Sequence, residues 1–344
     1  MKNLRIAVVG VGHIGTQHAR HASAAGDLIA VCDIKHDRAD AIATQYKCHA
    51  YYSLTELLAA EPQLDLVSIC TPNGLHAEHT IAALKKGCNV LCEKPMATTV
   101  RDCERMIHTA EETNRRLFIV KQNRFNPPVA ALKQAITEGR LGKIINVQVN
   151  CFWNRNQDYY RESDWRGTLD LDGGTLFTQY SHFIDLLYWM VGDVDDVKVY
   201  THNFLHHDTI EFEDTGAAIL SFASGAIGAI NFTINSYGKN MEGSLTIFGE
   251  KGTVKIGGQY LNVLEYQNIE GYTIPSLPAG NPPNVYGKAL GSMSNHDKVY
   301  QNIVDVLVHG GRIATDMLDG LKTVQIIEKI YKAAGRKPRG KGEK

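Results

Sequence analysis

The chain has 344 residues, of which 44% are hydrophobic and 21% charged, and its formal net charge at pH 7 is −1. Because nucleic acids and anionic membranes attract basic surfaces, this balance argues against either as the main partner. No apolar run reaches the ~18 residues of a membrane helix, and the first strand starts too early for a signal peptide. We therefore expect a cytoplasmic protein of two domains.

The seven cysteines all lie in the first half of the chain, and their spacing follows no metal-binding pattern. Cys32, Cys70 and Cys92 fall at the ends of apolar runs, where a free thiol behaves as a small buried hydrophobe. This usage is typical of a reducing compartment, and no metal site is predicted.

The N-terminal residues predict a strand, a glycine turn, a helix and a second strand. An apolar run over residues 5–9 leads into Gly10-Val-Gly-His-Ile-Gly15, and a helical pattern covers residues 16–25. A second apolar run, 28–32, ends at Asp33, about 20 residues after the glycines. This order and spacing are typical of a dinucleotide-binding unit.

The same alternation continues further along the chain. Strands are predicted at 64–70, 89–92 and 117–120, and helices at 77–86 and 100–114. Alternating strands and helices indicate a parallel sheet covered on both faces. Residues 1–122 are therefore predicted to form an α/β Rossmann domain with a doubly wound parallel sheet.

The pattern then changes to long stretches of period-two alternation. Strands are predicted at 144–152, 197–204, 217–222, 227–235 and 244–256, the last with a hairpin turn at Gly249–Gly252. Helices are predicted from Pro127 to about Glu138 and over 175–190, 299–308 and 319–333, and residues 258–295 are predicted as a long loop region. Residues 123–344 are thus expected to form an α+β domain with a large open antiparallel sheet, whose free face a second subunit would cover.

The glycines have separate roles in cofactor binding. Gly10 allows the tight turn, Gly12 lets a pyrophosphate approach the backbone, and Gly15 lets the helix pack closely on the strand. The start of the following helix then faces the phosphates.

Asp33 bears on the choice of cofactor. Its carboxylate can accept hydrogen bonds from ribose hydroxyls and would repel a 2′-phosphate, which favours NAD over NADP. Lys35 and Arg38 lie close by in the sequence, so NADP stays open.

Two loops at the carboxyl edge of the predicted sheet carry the chemistry. The loop after one strand contains Thr71, Pro72, Asn73 and His76, which are expected near the nicotinamide-side ribose. The alternative for His76 is that it caps the backbone at the start of a helix. Lys94, between Glu93 and Pro95, follows the next strand. A lysine beside a cationic nicotinamide has its charged form disfavoured and can take a hydroxyl proton; the alternative is a surface lysine at a strand end.

These motifs resemble the glucose-fructose oxidoreductase / inositol dehydrogenase / MocA (Gfo/Idh/MocA) family, above all through Glu93-Lys94-Pro95. The resemblance spans nearly the whole chain, and that family pairs a Rossmann domain with an open antiparallel sheet. One branch, the bacterial UDP-N-acetyl-2-amino-2-deoxyglucuronate dehydrogenases, is similar at further motifs, which include Lys121–Arg124, Asn150–Arg155, Trp165–Thr168, Asp172–Gly174, Glu213–Gly216 and Lys239–Ser244.

The resemblance implies roles for particular residues. Lys94 matches the catalytic lysine, and His182 matches a histidine that faces the substrate; without the family, His182 reads as a core histidine of its helix. Which of the two is the formal base stays open. Further cofactor contacts are implied for His13, Ile14, Glu93, Gln122, Trp165 and Arg166.

A uronate and a diphosphate both need cations, and an arginine fork suits either group. The candidate cations are Arg124, Arg155, Arg161, Arg166 and Lys239, and the candidate hydrogen-bonding groups are Asn123, Asn240, Tyr159 and Tyr160. Asp185 is expected to support its helix rather than to react. The family often has an acid four residues before the histidine, or an amide in the amino-sugar branch, where this chain has Thr178. Thr178 can hydrogen-bond a substrate but holds no charge.

The function implied is NAD-dependent oxidation of the 3-hydroxyl of a UDP-linked amino sugar, or of its uronic acid, to a 3-keto sugar for surface polysaccharides such as lipopolysaccharide. Some relatives reoxidise the cofactor with 2-oxoglutarate, and the family suggests dimers or tetramers. Two alternatives stay open: a dehydrogenase of a free sugar or polyol, like inositol dehydrogenases, and a non-catalytic dinucleotide-binding regulator.

Overall fold

The computed structural model describes residues 3–286 and 289–336. The chain divides into two compact units, the first made of residues 1–120 and 296–324 and the second of residues 121–295 and 325–344. None of the helices within the described ranges combines the length and the apolar character that a membrane crossing requires.

The first unit contains a six-stranded sheet in which every neighbouring pair is parallel. Its order is β3-β2-β1-β4-β5-β6, from strands β1 Arg5–Val9, β2 Asp27–Cys32, β3 His49–Tyr51, β4 Leu66–Ile69, β5 Asn89–Cys92 and β6 Leu117–Ile119. The central strands are almost fully buried, as the continuous apolar runs predict. The parallel Rossmann sheet expected from the sequence is confirmed.

Helices alternate with these strands: α1 His13–Ala25, α2 His36–Tyr46, α3 Leu54–Ala60, α4 His76–Lys85 and α5 Val100–Glu112. Side-chain caps start two of them. Ser53 accepts the Glu56 N–H ahead of α3, and Thr99 accepts the Asp102 N–H ahead of α5.

The first unit also includes residues 296–324, which the predicted boundary left with the second domain. Helix α10, His296–His309, packs on α1, and its Tyr300 hydroxyl lies 2.7 Å from Ser68 Oγ of β4. The apolar pattern of α10 predicts a helix but carries no information about which sheet it covers. The division between units falls inside α11, Met317–Ala333.

The second unit contains a seven-stranded sheet of order β13-β12-β11-β7-β10-β9-β8. Its strands are β7 Ile144–Phe152, β8 Val194–His202, β9 Thr215–Phe222, β10 Ile227–Thr233, β11 Glu242–Gly249, β12 Gly252–Gly257 and β13 Val263–Ile269. The large sheet is confirmed, but it is mixed rather than purely antiparallel, because β7 and β10 pair in parallel. Alternation fixes which face a side chain takes, whereas strand direction depends on the connections.

Two further predictions need correction. Residues 258–295 are not one long loop: they contain β13 and a hairpin of β14 Pro283–Tyr286 and β15 Ala289–Met293. Strand β13 is the sheet edge and is exposed along most of its length, so it lacks a clear alternation. The helix predicted over 175–190 is split into α8 Thr175–Thr178 and α9 Ser181–Val191. The remaining helices of this unit are α6 Pro127–Thr137 and α7 Gln157–Arg161.

Candidate functional site

The glycine turn lies where the parallel sheet changes direction. Strands β1 and β4 are neighbours, and the chain leaves them towards opposite edges of the sheet, which is where such sheets bind ligands. Gly10 has φ +86°, and a Cβ there would lie 2.7 Å from the Cys70 carbonyl oxygen. A Cβ on Gly15 would lie 1.8 Å from the Gly10 oxygen. Both positions therefore require glycine for the turn to close.

Gly12 is different, because the space around it is open. A Cβ on Gly12 would have one neighbour within 4 Å, Arg38 Nη1 at 3.7 Å. Helix α1 begins at the next residue without a side-chain cap, so its first N–H groups face this space. His13 is exposed and Ile14 half-buried there. An uncapped helix start beside an open glycine cradle suits the pyrophosphate of NAD.

Asp33 stands at the end of β2 with both carboxylate oxygens held by the backbone. Oδ2 accepts the Val11 N–H and Oδ1 accepts the Lys35 N–H, each at 2.9 Å. Each oxygen has a further lone pair, so the fixed carboxylate can still accept ribose hydroxyls. The residues present therefore fit NAD.

The loop after β4 is organised by His76. Its Nδ1 lies 2.7 Å from the Pro95 carbonyl oxygen and its Nε2 lies 2.8 Å from that of Thr71. The ring is 1% exposed, and burial lowers its pKa against the effect of the two carbonyls. The His76 ring thus joins the loop after β4 to the loop after β5. Asn73 is buried, whereas Thr71 and Pro72 are half-buried.

The Glu93 carboxylate is the centre of a buried hydrogen-bond network in the first unit. Its Oε1 lies 2.9 Å from His18 Nε2 and 3.2 Å from His296 Nε2, and its Oε2 accepts the Lys94 N–H at 2.9 Å. Burial raises the pKa of Glu93, but the two imidazoles outweigh it and hold that pKa well below its usual range. The potential ligand atoms of the three side chains lie within 4.8 Å of one another, and the two imidazole–carboxylate hydrogen bonds join them.

Sequence reasoning missed this network, because its three members are far apart in the chain and α10 was assigned to the other domain. Lys94 itself is half-buried at the end of β5. Its backbone is held, while part of its side-chain surface stays accessible.

In the second unit, Asp185 of α9 pairs with two buried cations. Arg124 donates to it from Nε and Nη2, and Lys121 Nζ lies 3.0 Å from Oδ1. Burial raises the pKa of Asp185, but Arg124 and Lys121 outweigh it and lower the value to about 2. Arg124, predicted as a candidate cation for the substrate, therefore belongs to a buried ion pair. Asp185, expected to support its helix, holds both cations.

His182 is 6% exposed near the start of α9. Its Nε2 lies 3.5 Å from Ser292 Oγ of β15, and the same hydroxyl accepts a hydrogen bond from Gln122 Nε2 at 2.9 Å. The buried acceptors Gln122 Oε1 and Asn123 Oδ1 have no hydrogen-bond partner among the described residues. Buried acceptors without a partner are unusual, so these two amides are available to a polar ligand. Ser292 was missed because its strand lay in the predicted loop.

Several predicted substrate residues form one cluster around Arg155. Arg155 Nε donates to Gln179 Oε1 at 2.8 Å, and its Nη1 donates to Asn240 Oδ1 at 3.2 Å. Gln179 Nε2 in turn donates to the Tyr159 hydroxyl at 3.0 Å. Arg155 is 4% exposed, so this cation is held among internal partners.

The other predicted residues fall into different environments. Arg166 is half-buried, with its guanidinium 4.2 Å from the Tyr159 ring centroid and 5.8 Å from that of Trp165. Tyr160 is 3% exposed and burial raises the pKa of its hydroxyl strongly, which marks it as core. Arg161 and Lys239 are exposed, and Arg161 is bonded to Gln157 one helical turn away.

Thr178 donates its hydroxyl hydrogen to the buried carboxylate of Asp172. Asp172 Oδ2 also accepts the Gly167 N–H at 2.8 Å. Burial raises the pKa of Asp172 to about 6 against these hydrogen bonds. A carboxylate thus lies directly behind the Thr178 hydroxyl, contributed by a residue six positions earlier.

Comparisons with known proteins match both units. A model described as oxidoreductase family, NAD-binding Rossmann fold, matches residues 4–121, and one described as GFO/IDH/MocA C-terminal domain matches residues 129–255. The WlbA dehydrogenase from Bordetella pertussis, solved with NADH and UDP-GlcNAcA, is 35% identical with a TM-score of 0.85, and the alignment covers 97% of each chain.

Two further proteins extend the comparison. The WlbA dehydrogenase from Chromobacterium violaceum, also solved with NADH and UDP-GlcNAcA, is 35% identical with a TM-score of 0.87 over 98% of this chain and 95% of its own. The myo-inositol 2-dehydrogenase of Thermotoga maritima is 28% identical over 73% of this chain and 74% of its own. The chain therefore belongs to the GFO/IDH/MocA family of NAD-dependent dehydrogenases, which act on the CH–OH groups of sugars and polyols.

Proposed function

We propose that this dehydrogenase oxidises the 3-hydroxyl of a UDP-linked amino sugar, or of its uronic acid, to a ketone in surface-polysaccharide synthesis. The observation that carries the proposal is the 35% identity, over nearly the full chain, to two WlbA dehydrogenases solved with UDP-GlcNAcA. Curated relatives such as the inositol dehydrogenase act on smaller substrates, so the uridine diphosphate is the point to test.

Bound NAD supplies the acceptor for the hydride that leaves the carbinol carbon. The chain has to remove the hydroxyl proton, and the proposal assigns Lys94 and His182 to that hydroxyl. Either nitrogen base can take the proton as the carbonyl forms. The remaining bonds of the sugar are unchanged, so the products are a keto sugar, NADH and one proton.

Buried and half-buried polar groups of the second unit support a charged, multiply hydroxylated substrate. Half-buried Arg166, whose Nη1 donates to the Tyr159 carbonyl oxygen at 3.1 Å, is the proposed cation for a phosphate or a carboxylate, since Arg124 is committed to Asp185. Gln122 and Asn123 offer amide oxygens to hydroxyl donors. The Thr178 hydroxyl gives its hydrogen to Asp172, so towards a ligand Thr178 is an acceptor.

The test is turnover with NAD and a panel of UDP-GlcNAcA, UDP-GlcNAc, myo-inositol and glucose, followed by NADH absorbance and by loss of two hydrogens in the product mass. We expect turnover of a UDP-sugar and none of myo-inositol or glucose. Turnover of a free sugar or polyol alone would move the assignment to the inositol dehydrogenase-like alternative. Thermal stabilisation by NAD with no turnover across the panel would support a regulator.

Two partner proposals accompany this one. Bound NADH that copurifies and is oxidised on addition of 2-oxoglutarate would identify that acid as the reoxidant. No change in NADH absorbance would remove 2-oxoglutarate from the proposal.

A second copy of the chain is proposed to cover the outer face of the large sheet, where Tyr200, Ile219 and Ile227 are more than half exposed. Light scattering should then give a dimer or tetramer, and Ile219→Asp should shift it towards the monomer.

A further inference from the structure

Lys94 is held from both sides of its backbone by buried histidines. On one side, the Lys94 N–H is bonded to the Glu93 carboxylate, which His18 and His296 contact. On the other side, the Pro95 carbonyl oxygen lies 2.7 Å from His76 Nδ1. Three buried imidazoles therefore constrain the backbone on either side of Lys94.

The hydrogen positions follow from counting donors and acceptors. Glu93 Oε1 has no hydrogen to give when the carboxyl is ionised, so His18 and His296 both present an Nε2–H to it. The other ring nitrogen of His18 then accepts from the Tyr300 hydroxyl at 3.1 Å, and Ser68 donates to the Tyr300 oxygen. Hydrogens are thus donated from Ser68 to Tyr300, from Tyr300 to His18 and from His18 to Glu93, which fixes the tautomer of His18.

The position of the donor hydrogen on His296 follows from its second ring nitrogen. Its Nδ1 is buried and has no hydrogen-bond partner among the described residues. A hydrogen on Nδ1 would lack an acceptor, which is costly, so the donor hydrogen of His296 is the one on Nε2. Glu93 is therefore a fixed carboxylate held by two imidazole donors on one oxygen and by the backbone on the other.

We infer that His18 and His296 are positioning residues for Lys94: they fix the Glu93 carboxylate, and through it the backbone from which the Lys94 amine projects. This inference rests on the proposed role of Lys94 in catalysis. His296 is the first residue of the segment that returns to the first unit, so a residue about 200 positions away in sequence sets the geometry of Lys94. Neither histidine touches the reacting atoms in this role.

The experiment compares His296→Leu, which removes the donor, with His296→Gln, whose side-chain amide can still donate to Glu93. Because small displacements of a reacting group cost up to about 10²-fold in rate, we expect the leucine variant to lose about 10- to 100-fold in kcat. The Kd for NAD, measured by fluorescence, should stay within about 3-fold, and the glutamine variant should recover most of the rate. Met106→Ala, a cavity in the core on α5, is the stability-matched control and should keep its kcat.

A glutamine variant as slow as the leucine variant, or a leucine variant with wild-type kcat, would overturn the inference. Loss of NAD affinity in parallel with kcat would also overturn it, because the network would then serve the cofactor. If His296→Leu does not fold, Tyr300→Phe serves instead, because it removes only the hydroxyl that orients His18. We expect a smaller loss of kcat in that variant, again with unchanged NAD affinity.

A second measurement tests the role of the histidines independently of the proposed function. Hydrogen exchange at the Lys94 amide should be faster in His296→Leu than in wild type and in His296→Gln, because the Glu93 acceptor is no longer fixed. This holds even if no UDP-sugar is turned over. Unchanged exchange would show that the histidines do not hold Lys94, whatever the substrate is.

Discussion

Asp185 receives two hydrogen bonds from Arg124, from Nε at 2.8 Å and from Nη2 at 2.7 Å. This two-point geometry fixes both the distance and the plane of the guanidinium. Lys121 contacts the same carboxylate, and all three side chains are at most 4% exposed. One carboxylate therefore neutralises two cations at the point where the second unit begins.

Replacing Asp185 by Ala should strongly destabilise the second unit. Two buried cations would lose their counter-charge, and breaking a buried pair in this way costs about 3–5 kcal/mol. Urea unfolding measures the effect. The matched control is Asp196→Ala, which breaks the exposed pair with Lys198 and should cost less than about 1 kcal/mol. Equal losses in the two variants would contradict the buried-pair argument.

The glycines of the turn should separate folding from cofactor binding. Gly12→Ala has room for its Cβ, so we expect a wild-type Tm but about 10-fold weaker NAD binding, because the methyl group occupies the cradle. Gly15→Ala would place its Cβ 1.8 Å from a backbone oxygen, so this variant should have a lower Tm in addition to weaker NAD binding. Thermal scans with and without NAD measure both. NAD affinity unchanged in Gly12→Ala would contradict the placement of the pyrophosphate.

Glu213 should make the second unit less stable at alkaline pH. Burial raises the pKa of Glu213 from 4.5 to about 7, and the Tyr331 hydroxyl donates to its Oε1 at 2.7 Å. The folded form holds a proton that the unfolded chain releases above pH 4.5, so stability from this group is present below that pH and is lost as the pH rises through 7. Above pH 7 the cost is about 3 kcal/mol.

Glu213→Gln keeps an acceptor for Tyr331 and carries no charge. Relative to wild type it should be more stable at pH 8.5 and close to neutral in effect at pH 5, as measured by Tm across that range. A difference between the two proteins that does not change with pH would show that Glu213 is ionised in the folded state throughout.

Lys94→Ala should retain NAD and lose turnover. The glycine turn and Asp33, which fit the cofactor, do not depend on the Lys94 side chain, whereas proton removal by a positioned base contributes about 10²–10⁴-fold. NAD titration and steady-state kinetics with the substrate found in the panel measure the two effects. Near-wild-type rates would remove Lys94 from the mechanism and leave His182 as the base.

The sequence predicts what depends on local pattern. The apolar run before Gly10, the spacing to Asp33 and the Glu93-Lys94-Pro95 motif at the end of β5 all fall where the structure has them. These features involve neighbours in the chain or one sheet edge, so periodicity and spacing determine them.

Long-range pairings could not be predicted in the same way. The contact of Glu93 with His296, the hydroxyl of Ser292 beside His182 and the carboxylate of Asp172 behind Thr178 each join separate elements. Arg124 looked available for a ligand because its partner, Asp185, is about 60 positions away. A single sequence records the chemistry of each side chain and not the side chain that it meets.

The return of residues 296–324 to the parallel sheet has a consequence for any attempt to divide this protein. A fragment that stops at residue 122 would lack Tyr300 and His296, and so would expose the carboxylate and the imidazole that they cover in the intact chain. An independent nucleotide-binding module, or a chimera that exchanges it between relatives, must therefore be assembled from two discontinuous stretches of sequence.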